Sequence, residues 1–377
     1  MNPESLIGPA SPLGNPAPFW FITFFKVLGF TLHMTLMNIW FAGMLIVAIF
    51  ATIGSGHARE LAHRLSRSMP VVVALGINLG IVPLLFTQVG YYQFYYPAGV
   101  LMARAWFSVI AILIFGYYGV YIYSLGVRRG RSTAFAVAAA WVSSLAFIFI
   151  GFLFANNFSL MVNVENWIRI FESTNVAGAV PGTALNTADP TLIPRWLMMF
   201  GLALTTTAVF IALDAVFFRR NETQEDYRRW AGRFAFLLYS IGLVMLVAMG
   251  SWYIFGAMER ATMEQIAKHP LVYLTFGLTA VSPGFVLVAL FTQRRIPAGR
   301  GVFAAAILQL LVLALNAASR QWVQNAELFR YGDVSKLPVN IQWSPMILFL
   351  ALFLLGLGVA AWMVAKIAAA ERKSAAA

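Results

Sequence analysis

Nine apolar stretches divide the sequence, at about 19–53, 70–95, 98–125, 133–155, 193–218, 231–255, 270–292, 301–319 and 344–367. Each has the roughly 20 residues that a helix needs to cross about 30 Å of hydrocarbon. In that medium only helices and closed barrels satisfy their own backbone polar groups, and unbroken runs of this length read as helices rather than alternating strands. The expected fold class is therefore all-α, a polytopic transmembrane helical bundle of about nine spans, with residues 1–377 as a single transmembrane domain. Composition excludes the soluble alternative. Only 11% of residues are charged and 60% are hydrophobic, with a mean hydropathy of +0.77, against about a quarter charged in ordinary soluble domains. The first stretch exceeds one crossing and is expected to tilt or to begin in the interface. Segment 156–192 is too polar to cross, and Val162 to Phe171 is expected to lie as a short surface helix.

The 26 Lys and Arg against 14 Asp and Glu give a net charge of +12. In a soluble protein that balance suggests nucleic acid. Here the positive-inside bias of membrane proteins accounts for it, so membrane lipid is the expected partner and nucleic acid is not. One set of loops holds Arg59, Arg64 and Arg67; Arg128, Arg129 and Arg131; Arg219, Arg220, Arg228, Arg229 and Arg233; Arg294, Arg295 and Arg300; and Lys366, Arg372 and Lys373. The opposite set holds Arg169, Arg195, Arg260, Lys268, Arg320, Arg330 and Lys336. The richer loops share one side only with nine spans, the N-terminus outside and the C-terminus cytoplasmic. No basic segment followed by a short apolar core and cleavage site opens the chain, so no cleaved leader is expected. The sequence has no cysteine, which excludes disulfides, iron–sulfur clusters, thiolate zinc, covalent c-type haem and thiol catalysis within it.

Ionisable groups inside spans need a partner or a function. Lys26 and His33, seven residues apart, share one face of the first span. Lys26 is expected to snorkel outward. His33, deeper and followed by Met34, Met37 and Asn38, is either a hydrogen-bonded packing residue or an axial ligand to haem iron. Arg104 and Asp214 are expected to pair between spans three and five, as a structural ion pair or a proton relay. Alternatively Arg104 grips a haem propionate, and Asp214, near the inner end, faces water. His57 and His63 read as residues of a solvated basic loop, and His269 before Pro270 as a helix start. The aromatics from Tyr91 to Tyr96 read as an interfacial belt. Gly76, Gly80, Gly99, Gly277 and Gly284 permit close helix approach or room for a macrocycle.

Several segments together resemble subunit I of the cytochrome bd oxidases. Gly76-Ile-Asn-Leu-Gly80-Ile-Val-Pro83-Leu-Leu-Phe86-Thr-Gln88-Val-Gly90 is similar to that family's second span, G-V-x-T-G-I-P-M-E-F-Q-F-G. Phe154-Ala155-Asn156-Asn157-Phe158 resembles its A-N-G-W segment. Pro194-Arg195-Trp196-Leu197-Met198 resembles its F-V-H span, and Ser319-Arg320-Gln321-Trp322 its G-R-Q-P-W motif. The resemblance implies a nine-span bundle and a haem on His33, the place of the high-spin haem histidine. It also implies cofactor contacts from Arg320, Gln321, Trp322, Arg104 and Met198, with iron held by His33. A second bd-type membrane subunit and an outer-side electron carrier such as a c-type cytochrome are implied as partners, in the inner membrane of a bacterium.

Departures from the family pattern narrow that expectation. The low-spin haem ligands correspond to Met198 and Thr275, a further haem glutamate to Ala317, proton-path carboxylates to Arg104 and Ile112, and the P-M-E-F glutamate to Leu85. The quinol-site loop shrinks to about Gly256–His269. The chain is therefore expected to be a divergent component of a respiratory, oxidase-like electron-transfer complex carrying at most one haem, with quinol binding doubtful. Two other readings stand beside it: a cofactor-free scaffold for redox partners, and an ion or proton transporter using Lys26, Arg104 and Asp214.

Overall fold

In hydrocarbon an apolar run has no water to bond its peptide groups, so each closes its hydrogen bonds within a helix. A computed structural model describes residues 3–130, 133–217, 224–268, 270–295 and 297–373. Arg131, Arg219, Arg220 and His269 lie outside the described residues. The helices are α1 (Phe19–Ile53), α2 (His57–Gly90), α3 (Tyr92–Leu101), α4 (Ala103–Arg128), α5 (Ala134–Val162), α6 (Trp167–Thr174), α7 (Leu192–Val216), α8 (Glu225–Ser251), α9 (Arg260–Ile266), α10 (Pro270–Gln293), α11 (Gly299–Leu328) and α12 (Trp343–Lys373). Among the described residues nine helices are long and apolar enough to cross a membrane, α8 counting with the π-helical turn Trp252–Ala257 that extends it.

Most boundaries follow the apolar runs, and three corrections are instructive. α2 begins at His57 rather than near residue 70, because Arg59 to Arg67 form an amphipathic first section that buries Leu61, Ala62 and Leu65. His57 and His63 thus stand on a helix, not in a loop. The third run is broken at Met102 into α3 and α4. Arg104 consequently sits exposed in the first turn of α4, at the end of that span rather than deep within it. The polar 156–192 segment begins inside α5, and the short helix follows as α6, with Trp167 fully buried and its indole N–H donating to the Leu160 carbonyl at 2.7 Å.

α1 is the axis of the bundle, packed by α2, α5, α7 and α11. A polar seam holds this centre. Asn38 donates to Thr206 Oγ1 at 3.0 Å, Thr207 donates to the Asn38 carbonyl at 3.1 Å, and Gln309 donates to Thr205 and Thr206. Such small and polar residues are what bring membrane helices together, since lipid tails remove the hydrophobic drive. Where α7 crosses α8, a Cβ on Gly201 would stand 2.9 Å from the Gly242 carbonyl oxygen, so this backbone approach requires glycine. α12 lies at the periphery, touching α1 and α2 through Phe349 while Ile347, Leu352, Leu355 and Trp362 stay exposed. That is the distribution expected of a lipid-facing helix.

Candidate cofactor-binding cavity

A cavity of about 440 Å³ opens beside α1, within the usual size of small-molecule sites. Its wall is a stripe with helical spacing: Lys26, Phe30, His33, Met37 and Trp40 come from α1. α7 adds Arg195, Met198, Met199 and Leu202, and α11 adds Ala317, Arg320, Gln321, Gln324 and Glu327. The π-helical turn contributes Tyr253 and Ile254.

His33 is held by α2. Its Nδ1 lies 2.8 Å from the Gly76 carbonyl oxygen. A carbonyl only accepts, so Nδ1 carries the proton, and in the neutral form of the ring the lone pair is on Nε2. Among the described residues no donor bonds that Nε2. Gly80 makes the arrangement possible, because a Cβ there would stand 2.8 Å from both Nδ1 and Cε1 of the ring. Trp40, Phe41, Phe147 and Phe154 line the surrounding wall, with Trp40 edge-on to Phe147 at 4.4 Å between centroids.

Charge gathers toward the end of the bundle where α1 begins and α11 finishes. Arg195 pairs with Glu327 and lies over the Tyr253 ring at 4.8 Å. Lys26 does not snorkel outward: it is buried, donates to Gln324 Oε1 at 2.7 Å and lies 4.4 Å over the Tyr91 ring. Arg320 lies 4.4 Å over the Phe30 ring. Gln321 donates to Tyr91 Oη at 2.6 Å and to Asn325 Oδ1 at 2.7 Å, completing a neutral network beside these cations.

The sequence expectations divide accordingly. His33, Met198, Arg320 and Gln321 border one cavity, as do Met34 and Met37. Arg104 and Trp322 are not among the lining side chains. The expected Arg104–Asp214 pair is replaced: Asp214 takes Arg64 Nε at 2.6 Å, both side chains being buried. The apolar pattern puts Arg64 in a loop, but α2 starts at His57 and carries it on a helix that faces α7. Lys26, Arg104 and Asp214 are therefore not brought together in one site. Arg195 and Glu327 were missed as cavity residues. For Glu327 a signal was readable, since it follows Arg320 by seven residues and so returns to its face; Arg195, on α7, had none. Among the described residues no group of three or more His, Asp or Glu could hold a metal.

No protein-family model and no curated protein matches the sequence. Among solved structures, a chain of the bd oxidase from Geobacillus thermodenitrificans matches with a TM-score of 0.70, over 94% of this chain and 99% of that one, at 12% sequence identity. Identity that low speaks for architecture alone, and in architecture the two chains correspond over nearly their whole lengths. The protein is a multi-pass membrane bundle with the fold of a bd oxidase chain.

Proposed function

We propose that this chain is a membrane subunit of a bd-type respiratory electron-transfer complex, in the cytoplasmic membrane of a bacterium, and that its cavity takes a single haem with His33 as iron ligand. The observation that carries this reading is the imidazole itself. Its Nδ1–H is fixed on the Gly76 carbonyl and its Nε2 lone pair is open in a ring bordering the cavity, the second-shell arrangement typical of metal-ligating histidines. The donor set suits one such group. Met34 and Met37 of α1 and Met198 of α7 are thioethers lining the same cavity, and Arg320 supplies a cation for an acid group. It does not suit more than one. Thr275 turns its hydroxyl back to the Leu271 carbonyl at 2.8 Å, Ala317 lines the cavity without a donor atom, and Leu85 is 48% exposed.

A haem bound there supplies one-electron chemistry. The chain's own residues then have distinct work. Gly76 holds the His33 tautomer, the aromatic wall excludes water, and Arg320 offsets negative charge at the polar end. With one haem, electrons must come from and go to partners, for which a second bd-type membrane subunit and an outer-side carrier such as a c-type cytochrome are the natural candidates. The short α9 between α8 and α10 gives little surface for a quinol.

The test is the absorption spectrum of the complex extracted gently from its native membrane. We expect a Soret band that His33→Ala abolishes while the helical content stays unchanged. A spectrum without that band, or one that survives His33→Ala, refutes the assignment and leaves a cofactor-free scaffold as the function.

A further inference from the structure

Three cations border the cavity, and only one of them has an acid. Arg195 is answered by Glu327. Lys26 bonds the neutral Gln324, using one of its three N–H donors. Arg320 contacts the face of Phe30, and among the described residues none of its five donors makes a hydrogen bond. No carboxylate of those residues lies within ion-pair distance of either group. Lys26 on α1 and Arg320 on α11 border the same cavity. Two basic groups at membrane depth without an acid partner are expensive. The neutral network beside them does not neutralise them, since Gln321, Tyr91 and Asn325 are bonded chiefly to one another.

We infer that Lys26 and Arg320 form a two-pronged clamp for the two acid groups of a diacid macrocycle in this cavity, each cation taking one carboxylate. The clamp makes Lys26 a specificity residue that selects an amphiphile with two carboxylates at one edge over its neutral ester. It rests on the porphyrin reading given above, but it is separable from iron ligation, because the clamp acts on the acid edge and His33 on the metal.

The separating experiment uses the full-length chain in nanodiscs, freed of bound pigment and titrated by fluorescence with metal-free protoporphyrin IX or its dimethyl ester. Neither probe carries iron, so His33 ligation plays no part. The wild type should bind the diacid at least about tenfold more tightly than the ester. Lys26→Gln should lose about tenfold in affinity for the diacid while its affinity for the ester stays within about twofold, and Lys26→Arg should restore most of the loss. Equal weakening toward both probes, or no weakening, overturns the clamp. If Lys26→Gln does not fold, Arg320→Gln is read by the same criterion. Failure of the wild type to bind either porphyrin overturns the clamp together with the porphyrin reading. Diacid selectivity that depends on Lys26, combined with a haem spectrum indifferent to His33→Ala, upholds the clamp and rejects only the axial ligand.

Discussion

Two buried ionic sites stand toward opposite ends of the bundle and are built on opposite plans. At one, Arg64 of α2 and Asp214 of α7 close on each other. The guanidinium Nε is 2.6 Å from Oδ2, a second nitrogen donates to the Asp214 carbonyl at 3.0 Å, and the Tyr227 ring lies 5.0 Å beneath. Their side chains are 5% and 1% exposed. At the other, Lys26 and Arg320 border a cavity and find only neutral groups and ring faces. The first site completes itself from the chain. The second is completed only by an anion from outside it. A charge at membrane depth is therefore not informative alone; whether the chain also supplies its counter-charge separates architecture from ligand recognition.

The comparison breaks most readily at the closed site. Asp214→Ala leaves Arg64 buried without its acid and should cost about 3–5 kcal/mol of stability, read as an early thermal unfolding transition in detergent. Arg320→Met should do the opposite in the ligand-free chain, leaving unfolding unchanged or delayed by about 1 kcal/mol, because it removes an uncompensated charge. Equal destabilisation by both substitutions would erase the distinction between the sites.

A smaller effect sharpens the open site. Gly80→Ala sets a methyl 2.8 Å from Nδ1 and Cε1 of His33, so the ring must leave the Gly76 carbonyl. We expect about 1–3 kcal/mol of overpacking cost and a loss of Soret intensity in a chain that still folds. Full intensity in Gly80→Ala would mean that the ring does not need its place against α2.

The bundle was legible in the sequence because its cause is local: about 20 apolar residues form a spanning helix whatever their neighbours. The His33, Met198 and Arg320 grouping was legible only through a distant family resemblance. What escaped was pairing between helices. Asp214 has Arg64 for a partner rather than Arg104 because α2 starts thirteen residues before its apolar run, and apolarity says nothing about an amphipathic helical start. Lys26 was expected outside because snorkelling is the usual fate of a lysine near a span end. The ring face and amide that hold it inward come from α2's terminus and α11, hundreds of residues apart in part. The Arg195–Glu327 pair, between α7 and α11, stayed hidden for the same reason.

The smallest effect concerns the exposed turn before α12, where pH has access that it lacks at the closed site. Asp333 accepts from the Ser335 amide at 3.1 Å and hydroxyl at 2.5 Å, and Lys336 lies 3.2 Å from its other oxygen. This turn presents the Val334 carbonyl to Asn15 Nδ2 at 3.1 Å, tying the chain before α1 to the chain before α12. Partial burial works to raise the Asp333 pKa, but the bonds from Ser335 and Lys336 outweigh it and hold the carboxyl below its ordinary value. A depressed folded-state pKa stabilises above the unfolded value of about 3.9, and that contribution is lost as pH falls through the folded one. Acidification from pH 6 to pH 3 should therefore lower hydrogen-exchange protection of residues 333–340, after correction for intrinsic rates. Asp333→Ala, worth about 0.5–1 kcal/mol, should show the lower protection at both pH values. Protection around the Arg64–Asp214 pair should be the same in this variant as in the wild type. If acid leaves the 333–340 segment unmoved, the turn is held by the buried Val334 side chain rather than by the carboxylate, and the two ends of the molecule are equally closed to solvent.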